Sequence, residues 1–565
     1  MSRQVSQAIA EYLASRGVDR VYGLCGGHIQ PIWDELPGQG IRVIDVRDER
    51  AAVHMAQAEA ELTGRPGVAL VTAGPGFTNA LTGIANAHTS RAPVLILSGI
   101  PPRPQMGMGA LQELPQAEMA GSVTRFARTV MHSRLLAVEL EKAMSSCLGN
   151  FGDPGPAYLD FPTDLLRESL SGQLPSAIPS LGAACSHPAD HEMDRALDMF
   201  AAASRPLIIS GGGARGSAEA LNELLEAWDC LYLDTPESRG LVVDSHPCFV
   251  PAVRGRAMRE ADLVLTVGRS LDYQLGYGSS AVFPKARFIR LGSAPAEVGG
   301  NRPGDLELTG SPPAILQTLA KGLRERQSLQ DRDWLEELRL KSRQKLEEMH
   351  QSLLEQPTGS DGGIDPRFML GWLRRIIDPG AIVVSDGGDI LSFSRMIMTG
   401  YRSLDCGSFG CLGVGVPYGV AAALLHPDSQ TVVISGDGSF GFGAMELETC
   451  VRHGAETLFV IANNKAWNIE RNDQLQNFGG RILGSELADS DYAGFAGSLG
   501  LYAETVTDPN ALAGALGRAL EHLPALLDIR TTREVFSPDG LSGLAQVPSY
   551  QALNKWDELE RSNLS

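Results

Sequence analysis

Short runs of apolar and β-branched residues recur along the chain and alternate with stretches that have the spacing of amphipathic helices. The runs are unbroken by polar residues, as expected for strands buried on both faces of a parallel sheet. Their alternation with helices predicts a repeated α/β architecture of doubly wound parallel sheets. The predicted strands are 68–72, 94–98, 158–161, 207–210, 263–267, 288–291, 382–385, 432–435, 458–462 and 526–529.

Two polar stretches interrupt this rhythm, one over 168–190 and one over 351–365. Rich in proline or glycine, they are typical of linkers. They divide the chain into three predicted domains and a tail, namely 1–182, 185–354, 363–547 and 548–565. The first and third domains each contain a strand that runs into a glycine-rich turn, at 68–80 and 431–447, which indicates an internal duplication.

Composition narrows the class of protein. Of the 565 residues, 43% are hydrophobic and 20% are charged, which is typical of a globular protein with large cores. The net charge of -19 argues against a nucleic-acid surface. We find neither a signal peptide nor an apolar stretch of the ~18 residues that a membrane span needs, and the eight cysteines include no CxxC pair. We therefore expect a cytoplasmic protein with reduced thiols, no zinc site and no membrane partner.

The strongest chemical signal follows two neighbouring strands in the third domain. Gly-Asp-Gly-Ser at 436–439 follows one strand directly, and Asn-Asn at 463–464 follows the next. Because carboxyl ends of parallel strands share one edge, Asp437 and Asn464 are expected to face one another. Carboxylate, amide and carbonyl oxygens suit magnesium, while glycines let backbone N–H groups approach a diphosphate. Ser439 is predicted to begin a helix whose N-terminus favours that negative charge.

This pair of motifs resembles the metal and diphosphate motif of thiamine-diphosphate-dependent enzymes. Nearly the whole chain shares the resemblance, because 23–29 (Gly-Leu-Cys-Gly-Gly-His-Ile), 47–49 (Arg-Asp-Glu) and 72–76 with Asn79 are similar to the pyrimidine-binding domain of the acetolactate synthase and benzaldehyde lyase group. The resemblance implies pyrimidine-binding, central and diphosphate-binding domains in that order. It also implies thiamine diphosphate and Mg²⁺ as cofactors, with Asp437, Asn464 and the carbonyl of Ala466 as metal ligands.

The same resemblance assigns residues around the cofactor. Glu49 corresponds to the glutamate that hydrogen-bonds N1′ of the aminopyrimidine. Leu412 corresponds to the apolar wedge beneath the two rings, and the carbonyl of Gly410 to the acceptor of the 4′-amine. The implied cofactor-binding residues are Gly387, Gly388, Asp389, Gly410, Leu412, Gly436, Gly438, Ser439, Trp467 and Ile469.

Four further resemblances concern the substrate. His28 and Gln112 resemble the active-site histidine and glutamine of benzaldehyde lyase. Ile469 and Glu470 look instead like the pair in pyruvate decarboxylases, where the isoleucine narrows the donor pocket and the glutamate handles protons late in turnover. The paired histidines that decarboxylases carry near the position of Gln112 are absent, which favours carboligation over simple release of an aldehyde.

We therefore expect an acetolactate-synthase-like carboligase that decarboxylates a short aliphatic 2-oxo acid and transfers the acyl unit to a carbonyl acceptor. A benzaldehyde-lyase-like enzyme, a 2-hydroxyacyl-CoA lyase, a flavin-dependent oxidase of the same fold and a catalytically silent binding subunit stay open as alternatives. The glycine-rich run 211–213 lacks the GxGxxG spacing of a dinucleotide loop, so FAD is not predicted. The resemblance implies a homodimer or homotetramer in which Glu49 of one chain meets Asp437 and Asn464 of another.

Overall fold

A computed structural model describes residues 3–170, 187–537 and 539 of the chain. In these ranges seventeen strands form three parallel sheets flanked by helices, which confirms the predicted α/β class. The predicted domain boundaries at 182 and 185, Cys185 and the tail 548–565 lie outside the described residues.

The first sheet contains six strands in the order β2-β1-β3-β4-β6-β5. The strands are β1 (Arg20–Gly23), β2 (Arg42–Asp45), β3 (Gly67–Val71), β4 (Val94–Ile100), β5 (Phe126–Thr129) and β6 (Ala157–Pro162). The helices are α1 (Val5–Ser15), α2 (Gln30–Glu35), α3 (Glu49–Thr63), α4 (Pro75–Thr89), α5 (Gln116–Gly121), α6 (Leu136–Cys147) and α7 (Thr163–Leu166). The chain winds in opposite directions from β1 and β3, so the ligand-binding edge of this sheet is expected where β1 and β3 end.

The middle sheet has five strands in the order β11-β10-β9-β7-β8. They are β7 (Pro206–Ser210), β8 (Leu231–Leu233), β9 (Leu263–Val267), β10 (Arg287–Gly292) and β11 (Leu306–Thr309). The helices around them are α8 (Asp190–Ala202), α9 (Ala218–Ala227), α10 (Arg254–Glu260), α11 (Pro295–Val298), α12 (Pro312–Leu323) and α13 (Arg332–Ser352). Apolar clusters cover both faces of this sheet, one including Phe200 and Leu265 and the other Val264 and Phe288.

The third sheet repeats the strand order of the first, as expected for a duplicated domain, with β13-β12-β14-β15-β17-β16. Its strands are β12 (Ile382–Asp386), β13 (Arg402–Asp405), β14 (Thr431–Gly436), β15 (Thr457–Asn463), β16 (Tyr502–Val506) and β17 (Ala525–Arg530). The remaining helices are α14 (Pro366–Ile376), α15 (Asp389–Ile397), α16 (Gly415–Leu425), α17 (Asp437–Gly443), α18 (Glu446–His453), α19 (Asn468–Asn477), α20 (Tyr492–Ser498) and α21 (Leu512–Glu521).

The described residues divide into two compact units. The first unit holds the first sheet together with 406–428 and 442–457, and therefore includes α16 and α18. The second unit holds the middle and third sheets. The predicted site residues fall in both units.

Two details of the elements bear on the site. All ten predicted strands are present, each within two residues of its predicted bounds. The helix after β14, however, begins at Asp437 and not at Ser439, so the Ser439 prediction was wrong by two residues. Gly436 is the last residue of β14, and Asp437 and Gly438 are the first two residues of the helix, so no separate loop lies between strand and helix. Among the described helices, none combines the length and the apolar character needed to cross a membrane.

Candidate active site

In the first unit, Glu49 is the first residue of α3 and is buried. Asp48 caps the helix, because its side chain accepts a hydrogen bond from the Arg50 amide at 2.8 Å. The Glu49 carboxylate accepts a hydrogen bond from Asn79 Nδ2 at 3.0 Å. A Cβ atom built on Gly76 would lie 3.1 Å from Glu49 Oε1, so this carboxylate rests against the first turn of α4. The structure therefore brings together Glu49 and Asn79 from two separate sequence motifs.

His28 and Gln112 meet on the loops that follow β1 and β4. Burial lowers the pKa of His28 below its usual value, and the neighbouring Gln112 side chain opposes the shift. His28 rests on Gly99, where an added Cβ would lie 2.5 Å from the histidine Cβ. Gln112 has a φ of 62°, which is uncommon for a residue with a side chain, and packs against Gly74. The pair is neutral near pH 7 and can both donate and accept hydrogen bonds.

A second polar side chain in this wall, Gln116, was missed by the sequence analysis. It is buried, and its Oε1 accepts a hydrogen bond from the Gly74 amide at 2.6 Å. Its Nε2 donates to the Gly99 carbonyl at 3.2 Å and to Tyr158 Oη at 2.8 Å. Gln116 therefore ties together the two glycines against which Gln112 and His28 rest. A glutamine four residues after another glutamine carries no recognisable signal in the sequence.

Gly410 and Leu412 also belong to the first unit. Leu412 is half-buried, and both of its neighbours are anchored. Cys411 Sγ lies 4.0 Å from His54 Nε2, and an added Cβ on Gly413 would lie 2.5 Å from Phe442 Cβ. A leucine held between two fixed residues, and itself still partly exposed, suits the predicted wedge.

In the second unit, the turns after β12 and β14 lie side by side. A Cβ on Gly387 would be 3.3 Å from Ser439 Oγ and 3.5 Å from the Gly436 amide nitrogen. Ser439 is buried, and its hydroxyl donates to the Gly436 carbonyl at 3.1 Å. Gly388 contacts Ile469, since its Cβ would lie 2.8 Å from Ile469 Cγ2. The predicted diphosphate residues therefore form one group at the edge of the third sheet.

Asp437 has the environment of a metal ligand. It is 3% exposed, and its Oδ2 atom has no hydrogen-bond partner. Burial raises the pKa of the carboxyl to about 6, although backbone N–H groups, including those of Lys465 and Ala466, oppose the shift. A buried carboxylate oxygen without a partner is costly unless a cation or a proton compensates it.

Asn464 lies on the same turn as these amides. Its Oδ1 accepts a hydrogen bond from the Ala466 amide at 3.1 Å, and Lys465 between them has a φ of 59°. Asp437, Asn464 and the Ala466 carbonyl are hard oxygen donors of the kind that Mg²⁺ prefers. The residues present therefore fit the predicted magnesium site.

Trp467 and Asn468 support this turn from the other side. A Cβ on Gly438 would lie 2.6 Å from the Trp467 ring, so the ring rests directly on the Gly-Asp-Gly turn. Asn468 is buried and donates to Asp389 Oδ2 at 2.8 Å. Burial raises the pKa of Asp389, and hydrogen bonds from Ser537 and Asn468 oppose the shift. Asn468 therefore engages Asp389 Oδ2, whereas Asp389 Oδ1 is buried and has no hydrogen-bond partner.

Ile469 and Glu470 are the second and third residues of α19 and differ in exposure. Ile469 is half-buried against Gly388, whereas the Glu470 side chain is exposed. The two residues point in different directions, because neighbouring side chains on a helix are about 100° apart.

The glycine-rich turn after β7 is closed by protein groups. The amides of Gly211 and Gly213 donate to the carbonyls of Val267 and Gly268, both at 2.9 Å. An added Cβ on Gly213 would lie 2.2 Å from the Glu297 carboxylate. These amides are occupied, and a carboxylate stands where a phosphate group would need positive charge.

Comparison with known families agrees with this geometry. Residues 3–119 match the N-terminal TPP (thiamine pyrophosphate, or diphosphate) binding domain of thiamine pyrophosphate enzymes, 193–319 match the central domain, and 390–529 match the C-terminal TPP binding domain. A probable acetolactate synthase from Mycobacterium bovis is 33% identical over 94% of this chain and 96% of its own length. The human 2-hydroxyacyl-CoA lyase 1 is 30% identical over 82% of this chain and 81% of its own. Mouse 2-hydroxyacyl-CoA lyase 2 is 29% identical over 88% of this chain and 84% of its own length. The chain therefore belongs to the thiamine pyrophosphate enzymes, as an enzyme of the acetolactate synthase and 2-hydroxyacyl-CoA lyase type.

Proposed function

We propose that the enzyme decarboxylates a short aliphatic 2-oxo acid and transfers the acyl unit to an aldehyde, a ketone or a second 2-oxo acid, forming a 2-hydroxy ketone. The reverse cleavage uses the same residues. Thiamine diphosphate, when bound, supplies the electron sink that allows a carbon–carbon bond beside a carbonyl to form or break. The polypeptide selects the donor and the acceptor and manages protons.

We assign Glu49 to N1′ of the aminopyrimidine. Its buried carboxyl group, held by Asn79, can share a proton with a ring nitrogen in a site that excludes water. Asp437, Asn464 and the Ala466 carbonyl would hold Mg²⁺, and the glycine turns containing Gly387 and Gly436 would receive the diphosphate. The buried, unpartnered Asp437 Oδ2 supports this assignment.

His28 and Gln112 are assigned to the oxygen atoms of the substrates. The lowered pKa of His28 leaves its imidazole neutral at pH 7 and therefore able to accept a proton from a hydroxyl group. We assign the orientation of the ring to the neighbouring Gln112 amide, because only one ring nitrogen can face that amide at a time.

The donor preference rests on one observation, the contact between Ile469 and Gly388. The branched side chain of Ile469 packs against Gly388 and occupies the space beside the turn that we assign to the diphosphate. The smaller remaining space favours a short aliphatic donor such as pyruvate or 2-oxobutyrate over an aromatic one. Removing its three outer carbons by Ile469→Ala should shift selectivity towards longer or aromatic 2-oxo acids by about 1 to 3 kcal/mol.

A 2-hydroxyacyl-CoA lyase is the second candidate, favoured by the names of several relatives of similar length. A donor and acceptor screen of the purified protein with thiamine diphosphate and Mg²⁺ tests both functions, with products identified by mass spectrometry. Acyloin or acetohydroxy acid products from pyruvate or 2-oxobutyrate, absent with Glu49→Gln, would support the carboligase. Cleavage of a 2-hydroxyacyl-CoA by a protein that leaves 2-oxo acids untouched would replace it with the lyase.

We further propose that the enzyme is a homodimer or homotetramer in which Glu49 of one subunit serves the Asp437 and Asn464 of another. Such an arrangement makes two different inactive variants complementary. Mixing Glu49→Gln with Asp437→Ala chains, after subunit exchange has been verified with differently tagged chains, should restore part of the activity. Absence of recovery in verified hybrids would contradict shared sites.

A further inference from the structure

A buried carboxylate almost four hundred positions from Glu49 is bonded to the turn that precedes it. Glu446 is the first residue of α18, lies in the same unit and is 1% exposed. Its Oε1 accepts hydrogen bonds from the backbone amides of Arg47 and Asp48, at 3.0 and 3.1 Å. Its Oε2 accepts one from Thr449 Oγ1 at 2.5 Å. Both carboxylate oxygens are therefore engaged, and two of the three donors belong to the turn between β2 and α3.

The turn needs these acceptors. The amides of Arg47 and Asp48 precede the helix, so no helical carbonyl is available to them. Asp48 fixes the far side of the turn by accepting from the Arg50 amide, and Asn79 fixes the Glu49 carboxylate. Glu446 fixes the main chain immediately before Glu49, because it accepts hydrogen bonds from the amides of Arg47 and Asp48.

A purely local role for Glu446 does not account for its bonds. A glutamate that served only to cap α18 would turn its carboxylate towards the amides of its own helix. From α18, only the Thr449 hydroxyl bonds to it. Burial raises the pKa of the Glu446 carboxyl to about 7, while the bonds from Thr449, Arg47 and Asp48 oppose the shift. Such a group costs stability to bury, which is typical of residues retained for a site.

Neighbouring contacts keep α18 against this part of the first unit. His453 Nε2 lies 3.0 Å from Asp45 Oδ1, at the end of β2. Arg42, at the start of that strand, donates to the His453 carbonyl at 3.0 Å. The helix that carries Glu446 is thus attached to β2 at its other end, so its carboxylate meets the turn from a fixed direction.

We propose that Glu446 is a positioning residue for Glu49, whose carboxylate sets the turn at the start of α3 and hence the direction of the Glu49 side chain. This inference rests on the role proposed for Glu49. Its consequence is that a residue of the third family domain controls the geometry of a group in the first.

The variants Glu446→Ala and Glu446→Gln test the proposal, with Glu448→Gln as the matched control. Glu448 lies on the same helix but approaches the Arg47 side chain, at 3.8 Å, and pairs with Arg452. The first measurement is hydrogen exchange at the amides of Arg47 and Asp48 in the full-length protein without cofactor. We expect exchange at least about tenfold faster in Glu446→Ala, intermediate in Glu446→Gln, whose amide oxygen can still accept, and unchanged in the control.

The second measurement is steady-state turnover of the loaded enzyme. A displaced Glu49 should lower kcat on the order of 10- to 100-fold with little change in the KM for the donor, and Glu446→Gln should recover part of the loss. Faster exchange with parental kcat would overturn the positioning role, as would unchanged exchange. If Glu446→Ala does not fold, the amide exchange rates and kcat of Glu446→Gln are compared with those of Glu448→Gln in its place. If the role proposed for Glu49 is itself wrong, Glu49→Gln will retain the activity of the parent. This outcome is different from a failure of the positioning role of Glu446 alone, in which Glu49→Gln is inactive and Glu446→Ala has the parental kcat.

Discussion

The contact between Gly388 and Ile469 allows a quantitative test of the proposal that the turn after β12 receives the diphosphate. Gly388 has φ -94° and ψ -78°, a right-handed conformation that alanine tolerates, so Gly388→Ala introduces no backbone strain. Its new Cβ would lie 2.8 Å from Ile469 Cγ2, closer than two carbons can approach. Because isoleucine is branched at Cβ, Cγ2 cannot rotate away freely. Overpacking of this kind costs about 1 to 3 kcal/mol.

Removing the obstructing methyl group should remove most of that cost. In the double variant Gly388→Ala/Ile469→Ala the nearest atom would be the Cβ of residue 469, at 3.5 Å, which is an ordinary contact. We therefore expect Gly388→Ala to weaken thiamine diphosphate binding by roughly 5- to 150-fold in the parent and by much less in the Ile469→Ala background.

Titration calorimetry with thiamine diphosphate at saturating Mg²⁺ gives all four affinities of this cycle. Gly441→Ala is the control, since an added Cβ there meets nothing within 4 Å. A loss of affinity that is equal in both backgrounds would refute the reasoning, because the damage would then not arise from the contact with Ile469. Unchanged affinity in every variant would separate the turn from cofactor binding altogether.

Three further predictions concern buried and exposed groups around the site. Burial lowers the pKa of His54 to about 3, so the folded protein loses stability as the pH falls below about 6.5, where only the unfolded imidazole takes up a proton. Between pH 7 and 5 the free energy of unfolding of the parent, measured with denaturant, should fall by about 2 kcal/mol relative to that of His54→Phe. Parallel pH profiles of the two proteins would contradict this. Gly438→Ala should weaken thiamine diphosphate binding at least about tenfold and shift the fluorescence emission of Trp467, whose ring lies 2.6 Å from the new Cβ. A thiamine diphosphate titration curve identical to that of the parent would count against the contact. Glu470→Gln should slow turnover at least about tenfold with an unchanged donor profile, whereas a surface role predicts the parental rate.

The sequence predicted the interior strands of the three sheets better than their edges. Every predicted strand was found, and six of the seven that were missed lie at sheet edges: β2, β5, β8, β11, β13 and β16. Five of these edge strands, all except β8, are partly exposed and carry polar residues that hide the pattern, whereas β8 is buried but only three residues long. Arg402–Asp405 (Arg-Ser-Leu-Asp) has only one buried residue, and Phe126–Thr129 has none.

In the site, too, the residues that belong to a local sequence pattern were predicted, and the residues whose role depends on distant parts of the chain were not. Asp437 and Asn464 directly follow β14 and β15, and strand ends mark the ligand edge of an α/β sheet, so the sequence pattern singled them out. Glu49 lies four residues after the end of β2, a strand that was not predicted, and only the family resemblance singled it out. Glu446 and Gln116 were not, because their roles depend on backbone amides distant in sequence. A side chain that accepts from a remote main chain leaves no pattern of spacing, since any residue type can supply the amide.

The glycines of the two TPP-binding domains serve two different physical needs, which substitution can separate. Gly410 has a φ of 68° and nothing within 4 Å of an added Cβ, so Gly410→Ala should cost only the backbone strain of about 1 to 2 kcal/mol. Gly76 lies within α4, yet its Cβ would lie 2.7 Å from Thr72 Cγ2 and 3.1 Å from Glu49 Oε1. Gly76→Ala should therefore displace Glu49 and lower kcat, and Thr72→Ser, which removes Cγ2, should restore part of it. No neighbouring substitution should rescue Gly410→Ala, because its cost lies in its own dihedral angles. Melting temperatures and turnover of these variants decide the matter: rescue of Gly76→Ala by Thr72→Ser shows that this glycine is required for close approach, and its absence shows that the Cβ is accommodated elsewhere.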